Sequence, residues 1–478
     1  VAAVAPSIDI VPFNNSLDTL LRAVTERVFL VRKGVEFVTP PMPDPNVFQE
    51  NLSGTLEQLV RHLPSTAPIT HQQFVDGYRG RKRVAYQTAL DELRAGRGSV
   101  EEDSRVKVFV KFEKTDRTTK SDPVPRVISP RNPRYNIRVG RYLAPLEKRL
   151  FKSIQKLYGS ETPVVIKGFN AAKSAEILRS KWDNFVDPVA VGLDASRFDQ
   201  HVSKDALRWE HAVYERCFRG KHRDRLKSLL KYQRINHCSG EVPDGFLEYT
   251  VEGTRMSGDM NTSMGNCLLM CSMLHAYRRH TGVWFELANN GDDCVVFMER
   301  SDLECFSASL DSWFTAMGFT MTVEDPVDYF DRVEFCQTKP VFDGREWVMC
   351  RNPHTAIAKD SVMLHPYDGQ KIFRGWLDAV GTGGIALTGG LPVFQAFYSS
   401  YVRSGKKRSI PKELLPWSFR NLSMGMKRTP CLVSDEARLS FWTAFDITPD
   451  EQICLEKYYD KLRIHGDPGA YCDRHVFA

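Results

Sequence analysis

Apolar runs that end in carboxylates constrain this chain more than any other feature. Val189-Ala190-Val191-Gly192-Leu193 follows Pro188 and runs into Asp194-Ala195-Ser196-Arg197-Phe198-Asp199. A short unbroken apolar run of this kind predicts a buried strand. Two further apolar runs, Val283–Ala288 and Cys294–Met298, are separated by Asn289-Asn290-Gly291-Asp292-Asp293. That pattern predicts a hairpin with two adjacent acids at its tip. The turn itself needs only Asn or Asp with Gly, so the extra carboxylate has no role in turning the chain. An acid at the end of a buried strand is costly unless it is paired or binds a cation. Neighbouring carboxylates also repel, and a divalent cation relieves both costs. Hard oxygen ligands favour Mg2+ or Mn2+.

Between these runs lies Gly253-Thr254-Arg255-Met256-Ser257-Gly258-Asp259-Met260-Asn261-Thr262, followed by Ser263-Met264-Gly265-Asn266. Met264, Cys267, Leu268, Cys271 and Leu274 recur at helical spacing and predict a helix from about Thr262 to His280. Thr262 and Asn266 are one turn apart and share a face. Hydroxyls and an amide gathered at a helix N-terminus suit a sugar or phosphate ligand. Simple capping by Asn261 and Thr262 is the plainer alternative. Ser203 reads as the N-cap of another helix, running to about Phe218. An Asp from the first strand and an Asp from the hairpin meet if both lie in one sheet, where they can bridge two metal ions. Such a clamp activates a hydroxyl and stabilises a leaving pyrophosphate. The polar set around Ser257 and Asn266 would then lie between them.

Charge is unevenly placed. The 478 residues carry a formal net charge of only +6, which by itself does not indicate a nucleic-acid partner. Residues 105–149 hold thirteen Lys and Arg against four acids, a local +9 that leaves −3 for the rest. Val106-Lys107-Val108-Phe109-Val110-Lys111-Phe112 alternates and predicts a strand with one cationic face. That strand, with Arg126 after the Pro123-Val124-Pro125 turn, either lines a groove or forms a solvated basic surface.

Several classes are excluded. With 42 % hydrophobic residues, the composition does not fit a disordered chain. The 11 Cys fall in no CxxC pair, so a zinc ribbon is not expected, and Cys267 and Cys271 read as core thiols of a reducing compartment. Ala379–Val402 is uncharged but holds five Gly and Pro392, so two buried helices broken at Gly389-Gly390 are expected rather than a membrane span. A start at Val1 without Met reads as a fragment or a processed product, and no signal peptide is apparent.

Taken in order, these segments resemble viral RNA-dependent RNA polymerases. Asp194-x4-Asp199 resembles their motif A, Ser257-Gly258-x3-Thr262-x3-Asn266 motif B, and Gly291-Asp292-Asp293 motif C. Lys111-x-Glu113 with Arg126-Val127-Ile128 resembles motif F. Phe319 to Glu324 resembles motif D, and Glu334-Phe335-Cys336-Gln337 motif E. The stretch from Val191 to Ser203 and the Gly384–Val393 segment are similar to plant-virus replicases of the tombusvirus family.

The resemblance implies an α+β right hand of fingers, palm and thumb, with an antiparallel palm sheet backed by helices and a mainly helical thumb. It places fingers with an N-terminal strap at residues 1–185, palm at 186–206 and 251–343, a fingers insertion at 207–250, and thumb at 344–478. It implies copying of a positive-strand RNA genome by two-metal nucleotidyl transfer, with initiation expected without primer. Asp194 and Asp292 would bridge two Mg2+ (or Mn2+), with Asp293 in support. Asp199, Ser257 and Asn266 would read the ribose 2′-hydroxyl, and Thr262 would position them. Lys111 and Arg126 would neutralise the triphosphate, with Arg117 and Lys120 as weaker candidates. No Lys falls in motif D to protonate pyrophosphate; Lys339, in motif E, is the nearest. Trp347, Trp376, Trp417 and Tyr471 are candidate initiation platforms, although such aromatics are more often core. Template RNA, nucleoside triphosphates and a viral replication protein carrying the membrane anchor are the implied partners. In the family the polymerase follows a readthrough stop codon behind that anchor, so membrane-bound replication complexes in the host cytoplasm are the implied location. A reverse transcriptase would lack Asn266 and place an aromatic near residue 199. A non-enzymatic RNA-binding scaffold would have no need of Asp194, Asp292 and Asp293.

Overall fold

The computed structural model describes residues 2–3, 9–119, 122–364, 369–408 and 422–465. Within them the chain is a mixed helix and sheet protein built around small, mainly antiparallel sheets, in line with the expected α+β class.

The central sheet has four strands in the order Glu286–Asn289, Asp293–Glu299, Pro188–Ala195 and Met321–Val323, each antiparallel to its neighbour. Val189, Val191 and Leu193 join Leu287 and Val296 against the Thr262–Thr281 helix. Ala190, Ala288, Val295 and Phe297 point the other way, into a core shared with Ile177, Leu178 and Trp182 of the Ala171–Trp182 helix. Burial on both faces is the physical reason that Val189–Leu193 reads as an unbroken apolar run and not as an alternation. The Thr262–Thr281 helix is itself buried nearly all round, from Met264 to Tyr277. Ser203 caps its helix by accepting from the Ala206 amide, and that helix ends at Arg216, short of Phe218.

The alternating basic stretch is not one strand. Val106–Lys107 runs parallel to Cys238–Ser239, whereas Phe109–Val110 pairs antiparallel with Val127–Ile128. Two different pairing partners break the strand at Val108. The inward face holds, with Val106, Val108 and Val110 buried against Leu20, Val24 and Val28 near the N-terminus. Lys107 and Phe109 are exposed on the opposite side. The Ile235–Val242 and Gly245–Glu252 hairpin completes this small sheet.

The N-terminal stretch links two regions. Ala2–Ala3 pairs with Val362–Met363, and Ile10–Val11 pairs with Thr115–Asp116. Beyond a hairpin of Thr338–Phe342 and Trp347–Arg351, the described chain is mainly helical. Helices Gln370–Thr388 and Phe394–Ser404 are joined at Gly389-Gly390, as expected from the breakers. Among the described residues no helix is long and apolar enough to cross a membrane. Trp376 is a buried core aromatic, whereas Trp347 is partly buried at the edge of the core, packed against Phe330 and Phe342. Trp417 and Tyr471 lie outside the described residues. Cys267 and Cys271 are buried core thiols.

Candidate active site

The sheet register brings the acids together. Asp194, near the end of its strand, lies directly opposite Asp293, the first residue of the returning hairpin strand. The hairpin turns at Gly291, whose φ of 98° is open to glycine and strained for other residues. The Asn289 side chain closes the tip, accepting from the Gly291 amide and donating to its carbonyl at 2.7 Å. Asp194 and Asp292 stand open to the cleft, while Asp293 is half-buried. The cleft has a volume of about 840 Å³.

Electrostatics separates the three carboxylates. Burial, then the charges of Asp292 and Asp194, push Asp293 up to about 7, although it accepts a 3.0 Å bond from the Cys336 amide. Desolvation and the Asp292 charge also raise Asp194. Glu324 adds a further acid. Its carboxylate lies over Gly192, where a Cβ would clash with Oε2, so a side chain at 192 would displace it. Among the described residues no three acidic, His or Cys side chains are already gathered into a cage for an ion. Mg2+ does not require one, since it commonly takes one or two carboxylates and completes its shell with water and substrate phosphate. Asp194 and Asp292, exposed, adjacent and mutually repelling, fit that donor set.

A second network faces the same cleft. Asn266 donates from Nδ2 to Asp199 Oδ1 at 2.8 Å. Its own Oδ1 accepts from Arg255 Nε at 3.0 Å. A guanidinium is a donor only, so Arg255 fixes which end of the Asn266 amide faces Asp199. Burial raises Asp199, and the Asn266 bond and the Arg255 charge oppose the rise. Arg255 is itself buried and paired with buried Glu210, which also accepts from Asn261 and Tyr214. Asn261 therefore does not act as a side-chain cap. Glu210→Ala would leave Arg255 buried without its counter-ion. We expect it to cost about 3–5 kcal/mol, read as a lowered urea midpoint.

The remaining sequence candidates divide. The Thr262 hydroxyl donates to the carbonyls of Met256 and Asp259 and so shapes the loop before its helix. Ser257 lines the cleft, but its hydroxyl bridges to Val127 and Ser129 of the basic segment and not to Asp199. Arg126 lines the cleft 3.6 Å from Glu113, which also holds Lys111 at 2.6 Å. Arg131, Arg134 and Arg138 are internal struts, paired with Asp259 or Asp103. The +9 segment is thus partly groove lining and partly scaffold. Arg117 stacks over Phe13, and Lys120 lies outside the described residues. Lys339 donates to the Ala444 carbonyl.

Sequence reasoning gave no role to Arg255, Glu324 and Cys336, although they fall within the segments singled out above, and it passed over Glu210 and Arg27 altogether. Glu210 left a trace, as an acid in register with Ala206 and Tyr214 on the apolar face of its helix. The others are placed by tertiary contacts that leave no periodic signal.

An antiparallel sheet presenting opposed aspartates beside an amide-clamped aspartate and a basic strand defines a cleft suited to nucleotide chemistry. Residues 1–467 match the family described as viral RNA dependent RNA polymerase, and the chain belongs to that family. It is 51 % identical to the RNA-directed RNA polymerase of Oat chlorotic stunt virus (isolate United Kingdom), aligning over all of this chain and 65 % of that protein. It is 43 % identical to the RNA-directed RNA polymerase of Tobacco necrosis virus (strain A), over 95 % of this chain and 62 % of that protein. The Turnip crinkle virus RNA-directed RNA polymerase is 42 % identical, over 96 % of this chain and 59 % of that protein. The chain therefore spans somewhat under two thirds of the length of these relatives.

Proposed function

We propose that this chain is the polymerising part of a plant-virus replicase and copies positive-strand RNA by nucleotidyl transfer. The observation that carries this reading is the register that sets Asp194 opposite Asp293, with Asp292 at the tip beside them. Family membership supports the same reading. In the right-hand division we propose, residues 1–185 form fingers and strap, 186–206 and 251–343 the palm, 207–250 a fingers insertion, and 344–478 the thumb. The pairing of Ile235–Val242 with Val106–Lys107 favours placing that insertion with the fingers.

Asp194 and Asp292 would hold two Mg2+ or Mn2+ ions, with Asp293 in support. Bound there, the ions would supply an activated 3′-hydroxyl and charge stabilisation at the transferring phosphate. The protein's own groups do the positioning. The Cys336 amide holds Asp293 in place. Asp199 is oriented to accept from a ribose 2′-hydroxyl, and the second Nδ2 proton of Asn266 to donate to it. Arg126, with Lys111 behind it, offsets the triphosphate charge, because phosphoryl transfer depends chiefly on positioning and electrostatics. Thr262 and Ser257 act one step back, through the loop and the basic strand. The partners on this reading are template RNA, nucleoside triphosphates and a viral replication protein bearing the membrane anchor. The setting is a membrane-bound replication complex in the host cytoplasm.

The test is labelled nucleotide incorporation by the purified chain on a short RNA, with and without primer. We expect product in both reactions. Product only with primer removes primer-independent initiation, and RNA binding without product in either removes the enzymatic reading.

A further inference from the structure

The cleft holds a cation that none of the family-like motifs contains. The N-terminal helix Leu17–Val24 runs into a π-helical turn, Thr25–Phe29, and Arg27 sits within that turn. π-Turns of this kind are rare and often mark functional sites. Arg27 lines the same cleft as Arg126, Asp194 and Asp199. One of its terminal nitrogens donates to the Val124 carbonyl at 3.1 Å. Its Nε is buried with no partner, and among the described residues it forms no ion pair. Burial, then repulsion from Arg197 and Arg126, pushes its guanidinium down to about 10.

Motif A holds this turn in place. Arg197, in the left-handed region at φ 50°, donates to the carbonyls of Glu26 and Leu30 and lies 3.7 Å from the Glu26 carboxylate. Gln200 donates to the Leu30 carbonyl at 3.0 Å. Arg27 is therefore fixed relative to Asp194 and Asp199 by residues that lie between those two acids or next to them.

A crowded, under-partnered guanidinium in a cleft calls for an anion, and its planar fork matches phosphate oxygens. We infer that Arg27 binds the triphosphate of the incoming nucleotide, as a third cation beside Arg126 and Lys111. This rests on the polymerase reading. It makes the N-terminal segment part of the nucleotide site and not only a brace.

The test compares the parent chain with Arg27→Gln and Arg27→Lys. Two quantities are read for each: KM for a nucleoside triphosphate on a fixed RNA, and affinity for that RNA across a salt series. Loss of charge-assisted bonds is expected to raise KM about tenfold or more in Arg27→Gln, with RNA affinity unchanged and partial recovery in Arg27→Lys. An unchanged KM overturns the inference. So does a loss confined to RNA affinity, which would assign Arg27 to a backbone phosphate. Direct binding of inorganic tripolyphosphate to the same proteins gives a readout that needs no turnover. Weaker binding by Arg27→Gln supports the site even if the chain failed to polymerise, and equal binding by all three proteins overturns it.

Discussion

Asp292→Ala is expected to lower nucleotide addition at saturating nucleotide and Mg2+ by about 10³-fold or more. A metal-held transferring phosphate gains several kcal/mol of charge stabilisation, and each 1.36 kcal/mol is a factor of ten in rate. The effect should fall on turnover, since on the proposed reading Arg126 and Lys111 would still offset the triphosphate charge. Asp194→Ala should behave alike, because Asp194 lies opposite Asp293 at the end of the sheet where the hairpin tip carries Asp292, whose charge it feels. Asp293→Asn should be milder. That carboxylate is half-buried and already engaged by the Cys336 amide, so its contribution is to the field around the pair. Single-turnover addition of one nucleotide to a primed RNA separates the three. Near-normal turnover by Asp292→Ala would sink the metal assignment.

The second large effect is expected in sugar selection. Asn266→Ala removes the donor that would meet a ribose 2′-hydroxyl and frees Asp199 from its clamp. A site built to hydrogen-bond a substrate hydroxyl can reject the analogue lacking it by about 10⁴–10⁵. Losing one of two such contacts should lower the ribo-to-deoxy ratio of kcat/KM by about 10²-fold. The expected change lies mainly in the ribonucleotide term, which falls, while deoxynucleotide addition changes little. Unchanged selectivity would remove Asn266 from sugar recognition. Because Arg255 sets the orientation of this amide, the proposed selectivity would depend on a residue that does not itself meet the sugar.

These two networks were unequally legible in the sequence. Asp194, Asp292 and Asp293 stand out because each breaks a local rule: an acid ends a buried strand, and a turn carries more charge than turning requires. Their meeting follows from strand pairing, which is why the motif order alone leads to it. Asp199 and Asn266 were visible as residue types at motif spacing, but the bond between them joins two elements that are remote in the chain. Arg255 and Glu210 were hidden for a different reason. A buried ion pair leaves an acid on an apolar helix face and a cation in a loop, and nothing local says that they meet. The basic segment misled in part. Its surplus of charge is real, but Arg131, Arg134 and Arg138 are consumed as internal ion pairs, which composition cannot distinguish from a groove. Arg27 has no signal of its own. It reaches the cleft because the N-terminal helix packs on Val106, Val108 and Val110, and that packing is tertiary.

The central claim is that this cleft adds ribonucleotides as an RNA template directs, through the aspartates of one sheet. Four primed RNAs that differ only at the templating base, each offered one labelled ribonucleotide at a time, test it most directly. The account predicts addition of the complementary nucleotide alone, abolished by chelating the divalent cation and absent in Asp292→Ala. Addition that ignores the templating base, or that survives chelation, would contradict it.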